Sequence, residues 1–452
     1  MDYYDFLKDR DKYTSTGGFK PNWMPDFLFD FQKYLTDWSI THGRSAILAD
    51  CGLGKTPMSL VWAENVVRET NKPVLFITPL AVGQQAMREA EKFGVDAKRS
   101  RDGKVDGSLV WITNYEQLHK FEPNQFGGVV CDESSAIKNF KSARRDIVTE
   151  FLRGMKYRLL CTATAAPNDF HEVGTSSEAL GHLGYRDMIT EFFKQETSKD
   201  HRGWGRSKYR FKGHAETPFW KWVSSWARAL RSPSDLGFDA SRFVLPELVE
   251  TETVVQTKKA RDGYLFALAA RDLREQREER RNSIEERCEA ARVNVVSHDG
   301  PSVLWCELNA EGNRLRDVIP GAKQVTGSMP DERKEELLEA FTKGEINTLI
   351  TKPKIGCWGL NWQHCNNVVI FPSHSFEQYY QAVRRCWRFG QTEEVKVNVI
   401  VNEGEVGVMK NIRRKSMQAD KMFSSLCKHM NDSITISTIE NFKDKEGVPS
   451  WL

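Results

Sequence analysis

The segment that decides the fold is Ala49-Asp-Cys-Gly-Leu-Gly-Lys-Thr56, which lies between an apolar run and a helical stretch. This pattern predicts a buried strand, a loop and then a helix. Gly52 and Gly54 allow the loop backbone to wrap phosphate oxygens, and the start of the helix supplies oriented N–H groups. Lys55 can reach the β- and γ-phosphates, and the Thr56 hydroxyl can bind Mg²⁺. We therefore expect a loop that binds ATP with Mg²⁺.

Short apolar, β-branched runs recur along the chain and alternate with helical stretches, which predicts two parallel α/β sheets, each covered on both faces. The runs of the first series are Ala46–Ala49, Val74–Thr78, Leu109–Thr113, Val129–Cys131 and Arg158–Cys161. Those of the second series are Val303–Cys306, Ile346–Thr351, Val368–Phe371 and Val397–Val401.

An acid pair, Asp132-Glu133, follows one of the runs of the first series. Ligands gather at the carboxyl ends of parallel strands, so these acids can meet a nucleotide. Asp132 is predicted to hold Mg²⁺, and Glu133 to polarise the attacking water as general base. An acid pair after a strand is also a common helix N-cap and first turn. The phosphate loop earlier in the chain favours the catalytic interpretation.

Hydrolysis also needs positive charge, and the segment from Gln378 to Gln391 can supply it. Arg385 and Arg388 lie one turn apart on a predicted helix and can stabilise charge on the γ-phosphate. The alternative is a basic, solvated helix end before the glycine at position 390. Considered alone, the segment does not separate the two interpretations.

The order of these motifs resembles the superfamily 2 helicases, most closely the Swi/Snf-like translocases of double-stranded DNA. The resemblance covers roughly residues 27–403 and is most specific in Gln381-Ala-x-x-Arg385-x-x-Arg388-x-Gly-Gln391. Segments such as GLNWQHC are most similar to compact versions encoded by bacteriophages and prophages. The resemblance implies two RecA-like lobes, with a nucleotide cleft that closes when the two arginines join the ATP site.

Further roles come from the resemblance alone. It implies that Gln32 reads adenine, that Gly359 and Asn361 also contact the nucleotide, and that Thr162, Thr164 and Gln381 couple hydrolysis to movement. It implies DNA contacts at Thr78, Asn114, Tyr115 and Lys352. The acid segment, DESS, lacks the histidine of DEAH-type boxes, so we assign the coupling of that histidine to Ser134 or Ser135.

Residues 176–292 show no regular strand signal and predict a mainly helical insertion. Ten Lys/Arg and four Asp/Glu lie within 191–231, interleaved with aromatic residues, which suits a nucleic-acid surface. The stripe from Phe219 to Trp226 has near-helical spacing and is expected in the core. Lys258–Arg292 reads as a long solvated spacer helix. The Gly-rich stretch 201–212 is a candidate DNA-binding loop or hairpin, through Arg202, Trp204, Arg206, Lys208 and Arg210.

Composition sets limits on the class of protein. The chain has 452 residues, enough for about two or three compact units. A formal net charge of +3 excludes a uniformly basic coat but not a local basic groove. Nine scattered cysteines without a C-x-x-C pair indicate neither a disulfide framework nor a zinc ribbon. The sequence shows no membrane span or signal peptide, which favours a cytoplasmic location, that of a bacterial host if a phage encodes the chain.

These patterns predict an α/β protein with two RecA-like parallel-sheet lobes and a mainly helical insertion. We expect domains at 1–175, 176–292, 293–405 and 406–452. The expected function is a DNA-dependent ATPase motor that translocates on duplex DNA as a monomer, with replication or recombination proteins as further partners. Two alternatives stay open: a strand-separating helicase on single-stranded or branched DNA or RNA, and a non-processive ATP-dependent clamp that recruits partners.

Overall fold

The computed structural model describes residues 17–107, 109–139, 142–164, 169–199, 205–256, 273–356 and 360–443. The chain divides into two compact units. The first unit is built within Met1–Thr78, Ala86–Ala240 and Ala419–Leu452, and the second within Pro79–Gln85 and Ser241–Gln418. Within the described residues, no helix is both long and apolar enough to cross a membrane.

The first unit is centred on a parallel sheet, seven-stranded as described, with the order β3-β4-β2-β5-β6-β1-β9. Six of its strands are almost fully buried apolar runs that pack on both faces, whereas the short edge strand Ala97–Arg99 is partly exposed. The strands are β1 Arg44–Ala49, β2 Val74–Thr78, β3 Ala97–Arg99, β4 Val110–Asn114, β5 Gly128–Asp132, β6 Tyr157–Cys161 and β9 Ala227–Leu230. The structure thus confirms all five strands predicted in the first series.

Helices cover this sheet and carry its apolar core. They are α1 Asp30–His42, α2 Lys55–Thr70, α3 Gly83–Lys92, α4 Ala143–Arg153, α5 Val173–Leu180, α6 Tyr185–Phe192 and α7 Glu216–Ser224. The predicted aromatic stripe is in the core, as expected, because Phe219, Trp220 and Trp226 are at most 1% exposed. Met422 and Leu426 of the C-terminal helix α14, Val406–Lys443, belong to the same core.

The expectation that 176–292 contains no regular strand was wrong. Strands β7, Phe193–Lys199, and β8, Gly205–Phe211, form an antiparallel hairpin. Its base is anchored by apolar packing, since the Phe193 and Phe211 rings stack with centroids 4.7 Å apart. Strand β9 pairs with β1, and β10, Leu248–Val255, pairs with β15, Val395–Asn402, in the second unit. These edge strands are stabilised by their sheet partners, which a local pattern does not reveal.

The second unit contains a parallel sheet, six-stranded as described, with the order β10-β15-β14-β11-β13-β12. Its other strands are β11 Ser302–Trp305, β12 Lys323–Gln324, β13 Thr348–Thr351 and β14 Asn367–Ile370. Its helices are α8 Leu273–Asn282, α9 Ile284–Val296, α10 Asn309–Val318, α11 Asp331–Thr342, α12 Pro353–Gly356 and α13 Phe376–Val383. All four strands predicted in the second series are confirmed.

The prediction of one long solvated helix over Lys258–Arg292 was also wrong. Its described part is two helices that meet at Ser283, and α9 packs against the sheet of the second unit through Cys288 and Ala291. Arg287 is 1% exposed and forms an ion pair of 2.7 Å with Glu311, which is fully buried. Glu311 also accepts hydrogen bonds from the main-chain N–H groups of residues 307 and 308. The segment whose charged composition predicts a surface helix therefore contains one partner of a buried ion pair.

We expect Glu311→Ala to lower the free energy of unfolding of the second unit by about 3–5 kcal/mol, because Arg287 would remain buried without its counter-charge. Urea unfolding followed by tryptophan fluorescence measures the loss. The control is Glu285→Ala, which removes an exposed pair of 2.7 Å with Arg314. That pair should contribute less than about 1 kcal/mol. Equal losses in the two variants would contradict a stabilising role for the buried pair.

Candidate active site

The loop between β1 and α2 has the backbone that phosphate binding requires. Gly52 and Gly54 have φ angles of +87° and +77°, which residues other than glycine rarely adopt. Helix α2 begins at Lys55, immediately after this turn. The Lys55 Nζ donates to the main-chain oxygens of Ala49 at 2.9 Å and Asp50 at 3.2 Å. The ammonium group is therefore held at the carboxyl end of β1, and Thr56 follows in the first turn of α2.

Gln32 of α1 packs directly against this loop. Its Nε2 donates to the Leu53 carbonyl at 3.0 Å, and its Oε1 accepts from the Phe29 main-chain N–H at 3.0 Å. A Cβ atom at position 54 would lie 2.2 Å from the Gln32 Nε2, so the contact requires glycine there. The amide predicted to read adenine is thus fixed beside the phosphate loop.

The acid pair ends β5, which is separated from β1 by β6 alone. Asp132 is 4% exposed, and its Oδ2 accepts from the Thr78 hydroxyl at 3.4 Å. Burial, followed by repulsion from the Glu133 carboxylate, raises the pKa of Asp132 to about 7, although Lys55 acts in the opposite direction. A bound cation would offset both the burial of the Asp132 carboxylate and its repulsion by Glu133. The environment of Asp132 therefore fits Mg²⁺.

Glu133 has an unusual backbone and a carboxylate oxygen without a partner. Its φ and ψ are 50° and 51°, a left-handed conformation that costs free energy in a residue with a side chain. The residue is 3% exposed, and no described residue forms a hydrogen bond to its Oε2. The hydroxyl groups of Ser134 and Ser135 are also buried without a hydrogen-bond partner among the described residues. This loop therefore presents polar atoms that a bound nucleotide and its water could satisfy.

The residues predicted to couple hydrolysis to movement follow β6, between the phosphate loop and the acid pair. The Thr162 N–H donates to the Ile47 carbonyl of β1 at 3.2 Å, and its Oγ1 accepts from the Thr164 N–H at 3.1 Å. Both threonines are buried. The structure thus places Thr162 and Thr164 beside β1, the strand that leads into the phosphate loop, while their coupling role stays a prediction.

Three of the predicted DNA contacts are buried. Thr78 is fully buried at the end of β2, and Tyr115 is 5% exposed. The Tyr115 hydroxyl donates to the main-chain oxygen of Asp132 at 2.7 Å. Asn114 is 6% exposed, and its side-chain oxygen accepts from the main-chain N–H of residue 117 at 3.0 Å. Direct DNA contacts by these side chains stay predictions, whereas the contacts of Thr78 and Tyr115 with Asp132 were not predicted.

In the second unit, the two predicted arginines meet at one carbonyl. Arg385 Nη1 and Arg388 Nη1 both donate to the Leu360 main-chain oxygen, at 3.2 and 3.0 Å. Arg385 is 1% exposed, and its Nη2 donates to the Gln381 side-chain oxygen at 2.5 Å. These contacts order the segment that carries Asn361, whose Oδ1 has no partner among the described residues.

Other predicted residues lie apart from these groups. Lys352 follows β13, and its main-chain oxygen accepts from the N–H groups of residues 355 and 356 in α12. Arg206, Lys208 and Arg210 occupy alternate positions of β8, and Arg210 forms an exposed ion pair of 3.0 Å with Glu196. Arg202, Trp204 and Gly359 lie outside the described residues.

Glycines with positive φ in the phosphate loop, a lysine at the start of its helix and a buried acid pair on the next strand but one are the arrangement expected of a P-loop ATPase. The helicase conserved C-terminal domain matches residues 312–390, which lie in the second unit.

The relatives of the chain differ greatly in length. Helicase SWR1 of Eremothecium gossypii is 28% identical over 201 residues, which are 37% of this chain and 13% of that protein. The SWI/SNF-related matrix-associated actin-dependent regulator of chromatin subfamily A member 1 of Mus musculus is 31% identical over 170 residues, which are 32% of this chain and 16% of that protein. Putative protein p41 of Acyrthosiphon pisum secondary endosymbiont phage 1 is 22% identical over 455 residues, a match that covers 86% of this chain and 96% of that protein. The match thus spans a small part of SWR1 and of the mouse protein, and almost all of the phage protein.

Among solved structures, the Sulfolobus solfataricus SWI2/SNF2 ATPase core in complex with dsDNA is 16% identical, with a TM-score of 0.41. The match covers 88% of this chain and 94% of that one. The family match and the curated relatives confirm the resemblance indicated by the motifs, to Swi/Snf-like helicases of superfamily 2. The match to a helicase domain and the similarity to these relatives support an ATP-hydrolysing enzyme of the helicase and translocase class.

We expect Asp132→Asn to raise the midpoint of thermal unfolding at pH 8 by a few degrees, without nucleotide or Mg²⁺. The folded-state pKa of Asp132 is raised, so ionisation above pH about 7 destabilises the folded protein, and the neutral amide removes this cost. In domains of 150–250 residues, 1 kcal/mol corresponds to about 2–4 °C.

The gain should shrink as the pH falls below about 7 and disappear only near pH 3.8, where the carboxyl group is protonated in the unfolded chain as well. Differential scanning fluorimetry across this pH range measures it. Asp106→Asn, at a side chain 79% exposed, is the control and should change the midpoint little. A midpoint at pH 8 lower than that of the unsubstituted protein would contradict the raised pKa.

Proposed function

We propose that the protein is a DNA-dependent ATPase motor that translocates on double-stranded DNA and thereby remodels DNA structures or displaces bound proteins. The observation that carries the proposal is the buried site in which the Lys55 loop and the acid pair converge. The Swi/Snf-like pattern of residues 381–391 supports duplex DNA as the track.

Within this proposal, the residues of the first unit have separate tasks. Lys55 and the loop N–H groups bind the phosphates, while Gln32 holds the adenine ring in register. Asp132 and Thr56 would hold Mg²⁺, which when bound neutralises phosphate charge. Glu133, whose carboxylate has an oxygen without a partner among the described residues, orients the attacking water and accepts its proton.

Charge that develops on the transferred phosphoryl group needs a positive partner, and Arg385 and Arg388 are the proposed source. Such arginines contribute about 10³–10⁵ in rate in known NTPases. Gln381, which accepts from Arg385, would link the position of that arginine to the DNA-bound state. Asn361 and Gly359 complete the proposed nucleotide contacts.

DNA contacts are proposed on the hairpin β7–β8 and near Lys352. The hairpin carries basic residues at alternate positions of β8, and lysine and arginine bind phosphates irrespective of sequence. Its aromatic base is packed in the first unit, so the strands have a firm anchor. Replication or recombination proteins are proposed as further partners of a monomeric motor.

The domain organisation and location are proposals as well. We propose motor lobes at 1–175 and 293–405, an insertion at 176–292 and a helical tail at 406–452. Similarity to a phage protein over 86% of the chain supports a role in the cytoplasm of a bacterial host.

We expect duplex DNA to stimulate ATP hydrolysis more than single-stranded DNA or RNA at equal salt, because the motif pattern is that of duplex translocases. Lys55→Ala should lower the stimulated rate by at least ~100-fold, the scale of losing one charge-stabilising group. A coupled phosphate-release assay measures both effects. Lys72→Ala, at an exposed lysine just after α2, is the control. Greater stimulation by single strands or RNA would favour the strand-separating helicase instead.

The basic hairpin allows a separate test. The triple substitution Arg206→Ala, Lys208→Ala and Arg210→Ala should weaken duplex binding and reduce the slope of log K against log salt by roughly 0.9 for each phosphate that the variant no longer neutralises. Fluorescence anisotropy at several salt concentrations gives this slope. Arg292→Ala, at a partly exposed arginine of α9, should leave it unchanged. An unchanged slope in the triple variant would remove the hairpin from the DNA interface.

Triplex displacement distinguishes a motor from the alternative clamp. A motor displaces a third strand in the presence of ATP, whereas a clamp binds DNA in a nucleotide-dependent way without displacing it.

A further inference from the structure

A buried hydrogen bond connects the segment after β4 to the acid pair. The Tyr115 hydroxyl donates to the Asp132 main-chain oxygen at 2.7 Å, and Tyr115 is 5% exposed. This carbonyl belongs to the peptide that joins Asp132 to Glu133. The hydroxyl therefore contacts the backbone of the acidic loop and not a carboxylate.

The same peptide is held from its other side. The Glu133 main-chain N–H donates to the Asp132 carboxylate. With the C=O bound by Tyr115 and the N–H bound by Asp132, the orientation of the peptide plane is fixed. This orientation is costly, because Glu133 is one of two described residues other than glycine with positive φ. A strained conformation persists only where its surroundings hold it.

The sheet order explains how Tyr115 reaches this peptide. Strands β4 and β5 flank β2, so a side chain just after β4 must extend past the end of β2 to reach the end of β5. Tyrosine has this length and carries a donor at its tip. Tyr115 also begins a short helix, Tyr115–Lys120, whose N-terminus is capped by Asn114.

That short helix extends from the buried site to the surface. Glu116, the next residue, forms an ion pair of 2.8 Å with Arg144, and both side chains are about half exposed. The six-residue helix thus begins at the buried Tyr115 and is exposed at positions 116, 119 and 120, where other molecules can reach it. A displacement of the exposed end would move the hydroxyl that holds the Asp132–Glu133 peptide.

We propose that Tyr115 is a positioning residue, which holds Glu133 in its left-handed conformation and so directs the general-base carboxylate, and which transmits displacement of residues 114–120 to that carboxylate. The proposal rests on the proposed ATPase role of Glu133. It replaces a direct DNA contact by the Tyr115 side chain with an indirect link between the DNA-binding segment and hydrolysis.

The test compares Tyr115→Phe with Tyr157→Phe. Both substitutions remove one hydroxyl group from a buried tyrosine of the first unit. Tyr157 is 3% exposed and begins β6, at the edge of the sheet opposite the acid pair. We expect Tyr115→Phe to lower kcat about 3- to 10-fold, as loss of one positioning hydrogen bond would, with KM for ATP within about twofold of the unsubstituted value. Tyr157→Phe should change neither.

Amide hydrogen exchange provides a readout that does not depend on turnover. In full-length Tyr115→Phe without nucleotide, exchange in peptides covering residues 132–137 should become faster, while peptides covering β1 and α2 keep their rates. Unchanged kcat, unchanged exchange at 132–137, or a loss confined to KM would each overturn the proposal. Faster exchange throughout the first unit would also overturn it, since that pattern indicates general destabilisation.

DNA dependence separates this proposal from the proposed function. If duplex DNA does not stimulate the unsubstituted protein, the motor proposal fails, while basal kcat and exchange still test Tyr115. If DNA stimulates both proteins by the same factor, the positioning role stands but transmission from residues 114–120 is refuted. A smaller stimulation factor in Tyr115→Phe than in Tyr157→Phe supports transmission.

Discussion

The burial of the Asp132 carboxylate at the carboxyl edge of the first sheet constrains most of the surrounding structure. A carboxylate that is 4% exposed is stable only if donors and positive charge surround it. Thr78 supplies a hydroxyl, the Glu133 N–H supplies a main-chain donor, and Lys55 supplies charge. Thr78 and Lys55 lie far from Asp132 in the chain, so the sheet must assemble with β5 beside β2 and near β1 before the site exists.

The second unit uses buried charge in a different way. Arg287 and Glu311 neutralise each other inside the unit and stabilise the packing of α9. Arg385 and Arg388 instead donate to the Leu360 main-chain oxygen. The first arrangement suits a structural ion pair. The second orders the segment around Leu360, which also carries Asn361, a predicted nucleotide contact.

Much of the architecture could be predicted because it depends on local patterns. Each apolar run of the two series formed a strand, since strands buried on both faces are continuous apolar segments. The aromatic stripe was assigned to the core because its residues recur at near-helical spacing. The edge strands β9 and β10 were missed because their stability comes from pairing with distant strands. Lys258–Arg292 was misread because its charged composition does not show that Arg287 finds Glu311 inside the unit.

The sequence by itself determined the chemistry: a lysine and a threonine after a glycine loop, an acid pair after a strand, and arginines at helical spacing. These depend on residue type and on spacing within a few positions. Only the tertiary structure decided that Tyr115 holds the Asp132–Glu133 peptide and that Glu133 is left-handed. The hydroxyl and its acceptor lie 17 positions apart in the chain. Their contact depends on the order of strands in the sheet, and that order results from long-range packing that no local pattern contains.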